Sequence, residues 1–114
     1  MKQFKSKTRT KPEQKIQESI IAKLTLLGWY VKSTHGNIYQ FGFPDLYATH
    51  TRYGARWIEC KNPLAYSFTP AQLDTFPKLV ANGSGVWILI SDSDDEIKKL
   101  FGPCNWYHYL SIMR

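Results

Sequence analysis

The sequence predicts a single α/β domain whose elements follow one another in the order α-β-β-β-α-β-α. Apolar residues recur at helical spacing between residues 16 and 27, and two β-prone segments meet at a turn near residue 54. The continuous apolar run Val86–Ile90 is typical of a strand covered on both faces. With 114 residues, 43% of them hydrophobic, the chain can form one core and is too apolar to stay disordered.

The chain begins with a basic segment and continues into an amphipathic helix. Residues 1–11 contain five Lys or Arg and no acidic residue, so we expect a flexible N-terminal arm there and the folded domain over residues 12–114. Such an arm could lie along a phosphate backbone, or it could be a tail that keeps the protein soluble. We predict a helix over about residues 12–27, ended by Gly28, because one face collects the apolar residues Ile16, Ile20, Leu24 and Leu27.

Three strands are predicted after this helix. Residues 29–33 are β-prone and are followed by the breaker sequence His-Gly-Asn. Residues 45–51 and 55–61 then form two short strands joined through Tyr53 and Gly54, which predicts a β-hairpin.

The second half of the chain alternates helix and strand. Thr69, Pro70 and Gln72 have the spacing of a capping box with proline at the first helical position, so a helix is predicted from there to Asn82. The strand Val86–Ile90 follows, and then a short helix that starts near Ser93. Residues 105–113 are aromatic and fit either an edge strand or a short helix.

Charged side chains converge in the predicted hairpin. Alternation along the strand places Glu59 and Lys61 on one face and Cys60 on the other. The hairpin brings Asp45 beside Glu59, and two such carboxylates repel each other unless something compensates their charge. A divalent cation such as Mg²⁺ bridging both is one explanation, and a set of surface salt bridges is the other.

The composition limits the class of binding partner and the type of metal site that we expect. A net charge of +6 suggests an anionic partner, most simply nucleic acid. Cys60 and Cys104 are too few for a disulfide scaffold or a cysteine-rich zinc site, so any metal must be bound mostly by oxygen. No run approaches the roughly 18 apolar residues that a membrane span needs, and no signal peptide is visible, so we expect a soluble, cytoplasmic protein.

Three short motifs together resemble a known group of nucleases. They are Gly42-Phe43-Pro44-Asp45-Leu46, Ile58-Glu59-Cys60-Lys61 and Thr69-Pro70-Ala71-Gln72. Their order, after a helix that ends in Leu-Gly-Trp, resembles the PD-(D/E)XK nuclease superfamily and within it the VRR-NUC group, which is similar to Holliday-junction resolvases. The resemblance spans residues 13–90 and implies a restriction-endonuclease-like core, a mixed central sheet flanked by helices.

The resemblance also implies roles for individual residues. Asp45, Glu59 and the main-chain carbonyl of Cys60 would bind the metal, and Lys61 would serve the attacking water or the phosphate. Gln72 matches the family's downstream glutamine, although its place in the capping box explains it equally well.

The family further uses a glutamate from the first helix, where this sequence has Glu13 and Glu18. At about 100° per residue, Glu13 lies within about 60° of the apolar stripe and Glu18 about 140° from Glu13. We therefore expect Glu13 to complete the metal site and Gln17, one turn later, to line it against the substrate.

These features together predict a metal-dependent DNA endonuclease that hydrolyses phosphodiester bonds with Mg²⁺, for which Mn²⁺ can substitute. Selectivity for branched DNA or Holliday junctions is expected from the resemblance, and paired incisions would need a homodimer. Trp106, Tyr107 and Tyr109 are candidates for the dimer interface, with core packing as the alternative. The competing function is a non-catalytic nucleic-acid-binding module with a nuclease-like fold.

Overall fold

The computed structural model describes residues 11–34 and 42–113. The basic arm predicted over residues 1–11 lies outside this range except for its last residue. The described helices and strands are α1 (Lys11–Leu26), β1 (Tyr30–Ser33), β2 (Leu46–His50), β3 (Gly54–Cys60), α2 (Pro70–Ala81), β4 (Val86–Leu89), α3 (Asp94–Ile97), a 3-10 turn (Lys98–Phe101) and α4 (Trp106–Met113).

The four strands form one mixed sheet in the order β1-β2-β3-β4. The first three are antiparallel neighbours, and β4 runs parallel to β3. The parallel step requires a crossover, which α2 provides between β3 and β4. The predicted α/β class, the hairpin and the mixed sheet flanked by helices are thus confirmed.

Each face of the sheet is covered by a separate apolar cluster. On one face, Ile20 and Leu24 of α1 pack against Leu46, Ile58 and Leu89. On the other face, α2 and α4 pack over β4, and the core there contains Phe68, Phe76, Val86, Ile88 and Trp106. This second cluster lies over β4 and, among the described residues, contains none from β1 or β2.

The helix α2 begins as the capping-box sequence predicts. The Thr69 hydroxyl accepts a hydrogen bond from the Gln72 amide at 3.1 Å, and the Gln72 side-chain oxygen accepts one from the Thr69 amide at 3.0 Å. Pro70 occupies the first turn, where its missing N–H is not needed. The other predicted elements agree with the structure to within one or two residues at their ends.

The C-terminal aromatic segment, ambiguous in the sequence, is the helix α4. Trp106 is 1% exposed and packs edge-on against Phe68 and Phe76, with ring centroids 6.2 and 5.8 Å apart. The core alternative is therefore correct for Trp106, and its assignment to a dimer interface is wrong. Tyr107 is half exposed, and Tyr109 packs partly buried against Tyr66.

Among the helices of the described residues, none is both long and apolar enough to cross a lipid bilayer.

We predict that Trp106→Ala lowers the free energy of unfolding by about 3–5 kcal/mol, because it empties a fully enclosed site between two phenylalanines. Tyr107→Ala, one residue along the same helix but half exposed, should cost about 1 kcal/mol or less. Urea unfolding of both variants measures the difference. Equal losses would show that α4 is rotated relative to the core described here.

Candidate active site

Asp45 and Glu59 meet at the end of the hairpin that lies away from its turn, beside the start of α2. Leu46 pairs with Ile58, so Asp45, just before β2, comes to lie opposite Glu59 near the end of β3. The Asp45 amide donates a hydrogen bond to Glu59 Oε1 at 3.2 Å, and the Cys60 amide donates one to Asp45 Oδ2 at 2.9 Å. The Glu59 carboxylate is therefore held by the amide of Asp45, and the Asp45 carboxylate by the amide of the residue that follows Glu59.

Thr34 fixes the backbone on which Asp45 sits. Its amide donates to the Asp45 carbonyl at 2.8 Å, and its hydroxyl donates to the Asp45 and Pro44 carbonyls. These bonds extend the β1–β2 pairing by one residue beyond Ser33. The position of Asp45 thus depends on β1 as well as on the hairpin.

Lys61 lies beside Glu59 on the same face, as the strand alternation predicts. Its amide continues the pairing with β4 by donating to the Leu89 carbonyl at 3.0 Å. Its ammonium nitrogen lies 3.0 Å from Glu59 Oε2 and donates to the Ser67 carbonyl at 2.7 Å. The same nitrogen lies 4.8 Å from the centre of the Phe68 ring, a cation–π contact. This lysine is 5% exposed and fully enclosed by acceptors.

Gln72 connects the first turn of α2 to the charged pair. Its Nε2 donates to Glu59 Oε2 at 2.9 Å, and its Oε1 accepts from Lys61 Nζ at 3.2 Å. The same Oε1 completes the capping box. One amide group thus completes the capping box and also contacts the charged pair, while the catalytic role of Gln72 stays a prediction.

The electrostatics of the site centre on Glu59. Burial, together with the negative charge of Asp45, raises the pKa of the Glu59 carboxyl to about 8, and Lys61 and Gln72 only partly oppose this. Glu59 is 3% exposed and Asp45 6%, so water screens their repulsion poorly. The pair favours a proton or another positive charge between its members.

The first helix presents Gln17 and Glu13 differently. Gln17 is 4% exposed; its Nε2 donates to the Ser33 hydroxyl at 3.3 Å, and its Oε1 has no hydrogen-bond partner within the described structure. Glu13 is half-buried and Glu18 exposed, the orientation that the helical wheel predicts. The described residues contain no group of three His, Cys, Asp or Glu able to hold a metal, so Glu13 is not gathered with the two carboxylates.

Other residues that the sequence singled out have structural roles. The Cys60 side chain is buried in the core under α1, as expected. The His50 ring accepts a hydrogen bond from the Arg52 amide and packs on Trp29, a structural contact. Thr34 and Ser67 support the site through backbone contacts that no motif in the sequence indicates.

A comparison with solved structures bears on this fold. A structure described as a VRR_NUC domain matches with a TM-score of 0.62 and 22% sequence identity, over 80% of this chain and 96% of that chain. No family model matches the sequence, and no curated protein matches it. The chain therefore has a nuclease-like fold, the one that the sequence motifs predicted.

The raised pKa of Glu59 predicts how stability depends on pH. Above its ordinary value of 4.5 the unfolded chain releases the proton that the folded protein keeps to about pH 8. The free energy of unfolding should therefore be highest below pH 4.5, as far as this group contributes, and fall as pH rises to 8. Asp45→Asn removes one cause of the shift, so in EDTA at pH 8 it should melt about 5 °C above wild type, roughly the effect of 1 kcal/mol.

The difference between the two proteins should shrink toward pH 5, because Glu59 of wild type is then protonated and no longer repels Asp45. Asp74→Asn is the matched control, because Asp74 is largely exposed and pairs with Lys78 at the surface. Thermal unfolding from pH 5 to 8 measures all three proteins. A pH-independent gain in Asp45→Asn, or an equal gain in Asp74→Asn, would contradict this account of the pair.

Proposed function

We propose that this protein is a metal-dependent nuclease that hydrolyses phosphodiester bonds in DNA. The observation that carries the proposal is the convergence of Asp45, Glu59 and Lys61 at one end of a sheet with a nuclease-like fold. Two carboxylates and an amine, all nearly buried, are what phosphodiester hydrolysis requires for charge stabilisation and proton handling.

The donors fit a hard divalent cation. Asp45 and Glu59 supply carboxylate oxygens, and the Cys60 carbonyl lies between Glu59 and Lys61 in sequence. Burial first, and then the negative charge of Asp45, raise the pKa of Glu59, so a cation beside the pair would offset both effects. When bound, Mg²⁺ or Mn²⁺ would stabilise the negative charge that develops on the phosphate during hydrolysis. Glu13 is not gathered with the two carboxylates in this structure, and we propose that it joins them as a further ligand when the metal binds.

The protein's own side chains would handle protons and position. Lys61 Nζ, held by Glu59, Gln72 and the Ser67 carbonyl, is restricted to one orientation and can donate a hydrogen bond to the attacking water or to a phosphate oxygen. Gln72 keeps both Glu59 and Lys61 in place from the rigid start of α2. Gln17 has a buried oxygen without a hydrogen-bond partner within the described structure and is proposed to line the site against the substrate.

DNA is proposed as substrate because the chain carries a net charge of +6, which favours a phosphate backbone. Selectivity for branched DNA and action as a homodimer extend the proposal, since a domain of this size has little surface for both a catalytic site and a wide substrate. Of the interface candidates, Tyr107 keeps an exposed ring.

The second candidate is a nucleic-acid-binding module without catalysis. One observation favours it: each hydrogen-bonding direction of the Lys61 ammonium is already used inside the protein, as in a purely structural network. A catalytic lysine would have to exchange one of these contacts when substrate binds.

The deciding experiment is cleavage of end-labelled single-stranded, duplex, flap and four-way-junction DNA with Mg²⁺ or Mn²⁺. Wild type should cut at least one of them, and Asp45→Asn, Glu59→Gln and Lys61→Ala should each lose at least ~10²-fold in rate, about 2.7 kcal/mol of transition-state stabilisation. DNA binding should be kept, because affinity comes from phosphate contacts elsewhere.

Glu18→Gln is the control for loss of a carboxylate, since Glu18 is exposed on α1. It should cut at the wild-type rate. Cleavage of no substrate with either metal would support the binding module. Wild-type rates in any of the three site variants would refute the assignment of that residue.

A further inference from the structure

The sheet face that holds the two carboxylates continues beyond them as an aromatic surface. Side chains alternate along a strand, so Tyr47 shares a face with Asp45, and Trp57 shares it with Glu59. Tyr47 and Trp57 are direct partners in the β2–β3 register, with ring centroids 4.7 Å apart. Two residues along a strand span roughly 6–7 Å, so this pair lies one side-chain repeat from the carboxylates.

A cation lies on the same face. Lys32 of β1 is the register partner of Tyr47, and it is exposed. We call Lys32, Tyr47 and Trp57 the aromatic platform. Beyond it, at the start of β1, Tyr30 is 62% exposed.

Trp57 packs against the second apolar cluster, but the platform is not enclosed as that cluster is. The core aromatics Phe76 and Trp106 are at most 1% exposed, whereas Tyr47 and Trp57 are only half-buried. Both rings line an open groove of about 600 Å³, whose far side is the Gly83–Gly85 turn that leads into β4. Phe43 supports Trp57 edge-on, with ring centroids 5.4 Å apart. The rings are thus held from below and reachable from solvent.

We propose that the aromatic platform stacks an unpaired base of the nucleic acid whose adjacent phosphate lies at Asp45 and Glu59. The inference rests on the proposed function and names its substrate class: DNA with a single-stranded segment next to the cleaved bond. Inside a duplex both faces of each base are covered by its neighbours, so an internal base must be unpaired in order to lie against Tyr47 or Trp57.

Charge and position favour nucleic acid over a second protein as occupant. Lys32 stands where it can meet a backbone phosphate while Tyr47 meets the base, the combination that single-strand-binding surfaces use. The surface is also continuous with the carboxylate pair. A protein partner would have to cover the proposed catalytic site in order to use the platform.

The experiment measures binding in EDTA, so that it needs no cleavage. The full chain is titrated into fluorescein-labelled oligonucleotides by anisotropy: a single strand, the same strand with abasic sites, and the blunt duplex. Wild type should bind the single strand at least about 10-fold more tightly than the abasic strand, the scale of one stacked base. The abasic strand keeps every phosphate, so it isolates the contribution of the bases.

Tyr47→Leu should lose most of this difference, and Tyr47→Phe should keep it, because stacking needs the ring and not the hydroxyl. Phe101→Leu is the matched control, since the Phe101 ring is 47% exposed but lies in the 3-10 turn, outside the platform. It should bind all three oligonucleotides as wild type does. The comparison of abasic and normal strands requires no variant, so it stands even if Tyr47→Leu folds poorly.

Equal binding of the normal and abasic strands by wild type would overturn the proposal, and so would wild-type discrimination in Tyr47→Leu. A change from dimer to monomer in Tyr47→Leu, seen by sedimentation velocity, would also overturn it and assign the surface to a second copy. Base-dependent binding by a protein that cuts no DNA would support the platform and refute the nuclease proposal. Cleavage of DNA by a protein that binds normal and abasic strands equally would support the nuclease proposal and refute the platform.

Discussion

Two backbone hydrogen bonds place the carboxylates of Asp45 and Glu59 side by side. The Asp45 amide binds Glu59, and the Cys60 amide binds Asp45, so each acid is held by the strand that carries the other. Opposed strands make such crossed bonds possible only in one register, and a slip of one strand by one residue would turn its acid to the opposite face and separate the pair. The chemistry proposed for this protein depends on that register.

The arrangement has an electrostatic consequence that the surrounding residues only partly relieve. Lys61 contributes one positive charge and Gln72 one donor, yet the pKa of Glu59 remains near 8. Gln72 belongs to α2 itself. Lys61 is held in place by hydrogen bonds to Gln72 and to the Ser67 carbonyl, just before α2. The capping box of α2 therefore does more than start a helix, because it sets the geometry beside the acids. The same sheet face then extends toward Tyr47 and Trp57, which links the acids to a surface suited to bases.

The parts of the site that could be predicted are those encoded by neighbouring residues. Alternation in β3 puts Glu59 and Lys61 on one face, and the hairpin places Asp45 beside them. The capping-box sequence of four consecutive residues predicts the start of α2. Thr34 could not be predicted, because its bonds to Asp45 depend on how β1 pairs across the sheet. The burial of Trp106 depends on Phe68 and Phe76, which come from other elements. The place of Glu13 relative to the acids depends on how α1 packs, which a helical wheel does not determine.

The central claim is that Asp45 and Glu59 form a site for a divalent cation. Calorimetric titration of Mn²⁺ into the protein at pH 8 tests it most directly, with Asp45→Asn as the site variant and Asp74→Asn as the surface control. The account predicts saturable binding of one or two Mn²⁺ by wild type and by Asp74→Asn, and loss of that binding in Asp45→Asn. Identical titrations of wild type and Asp45→Asn, or no saturable binding by wild type, would contradict it.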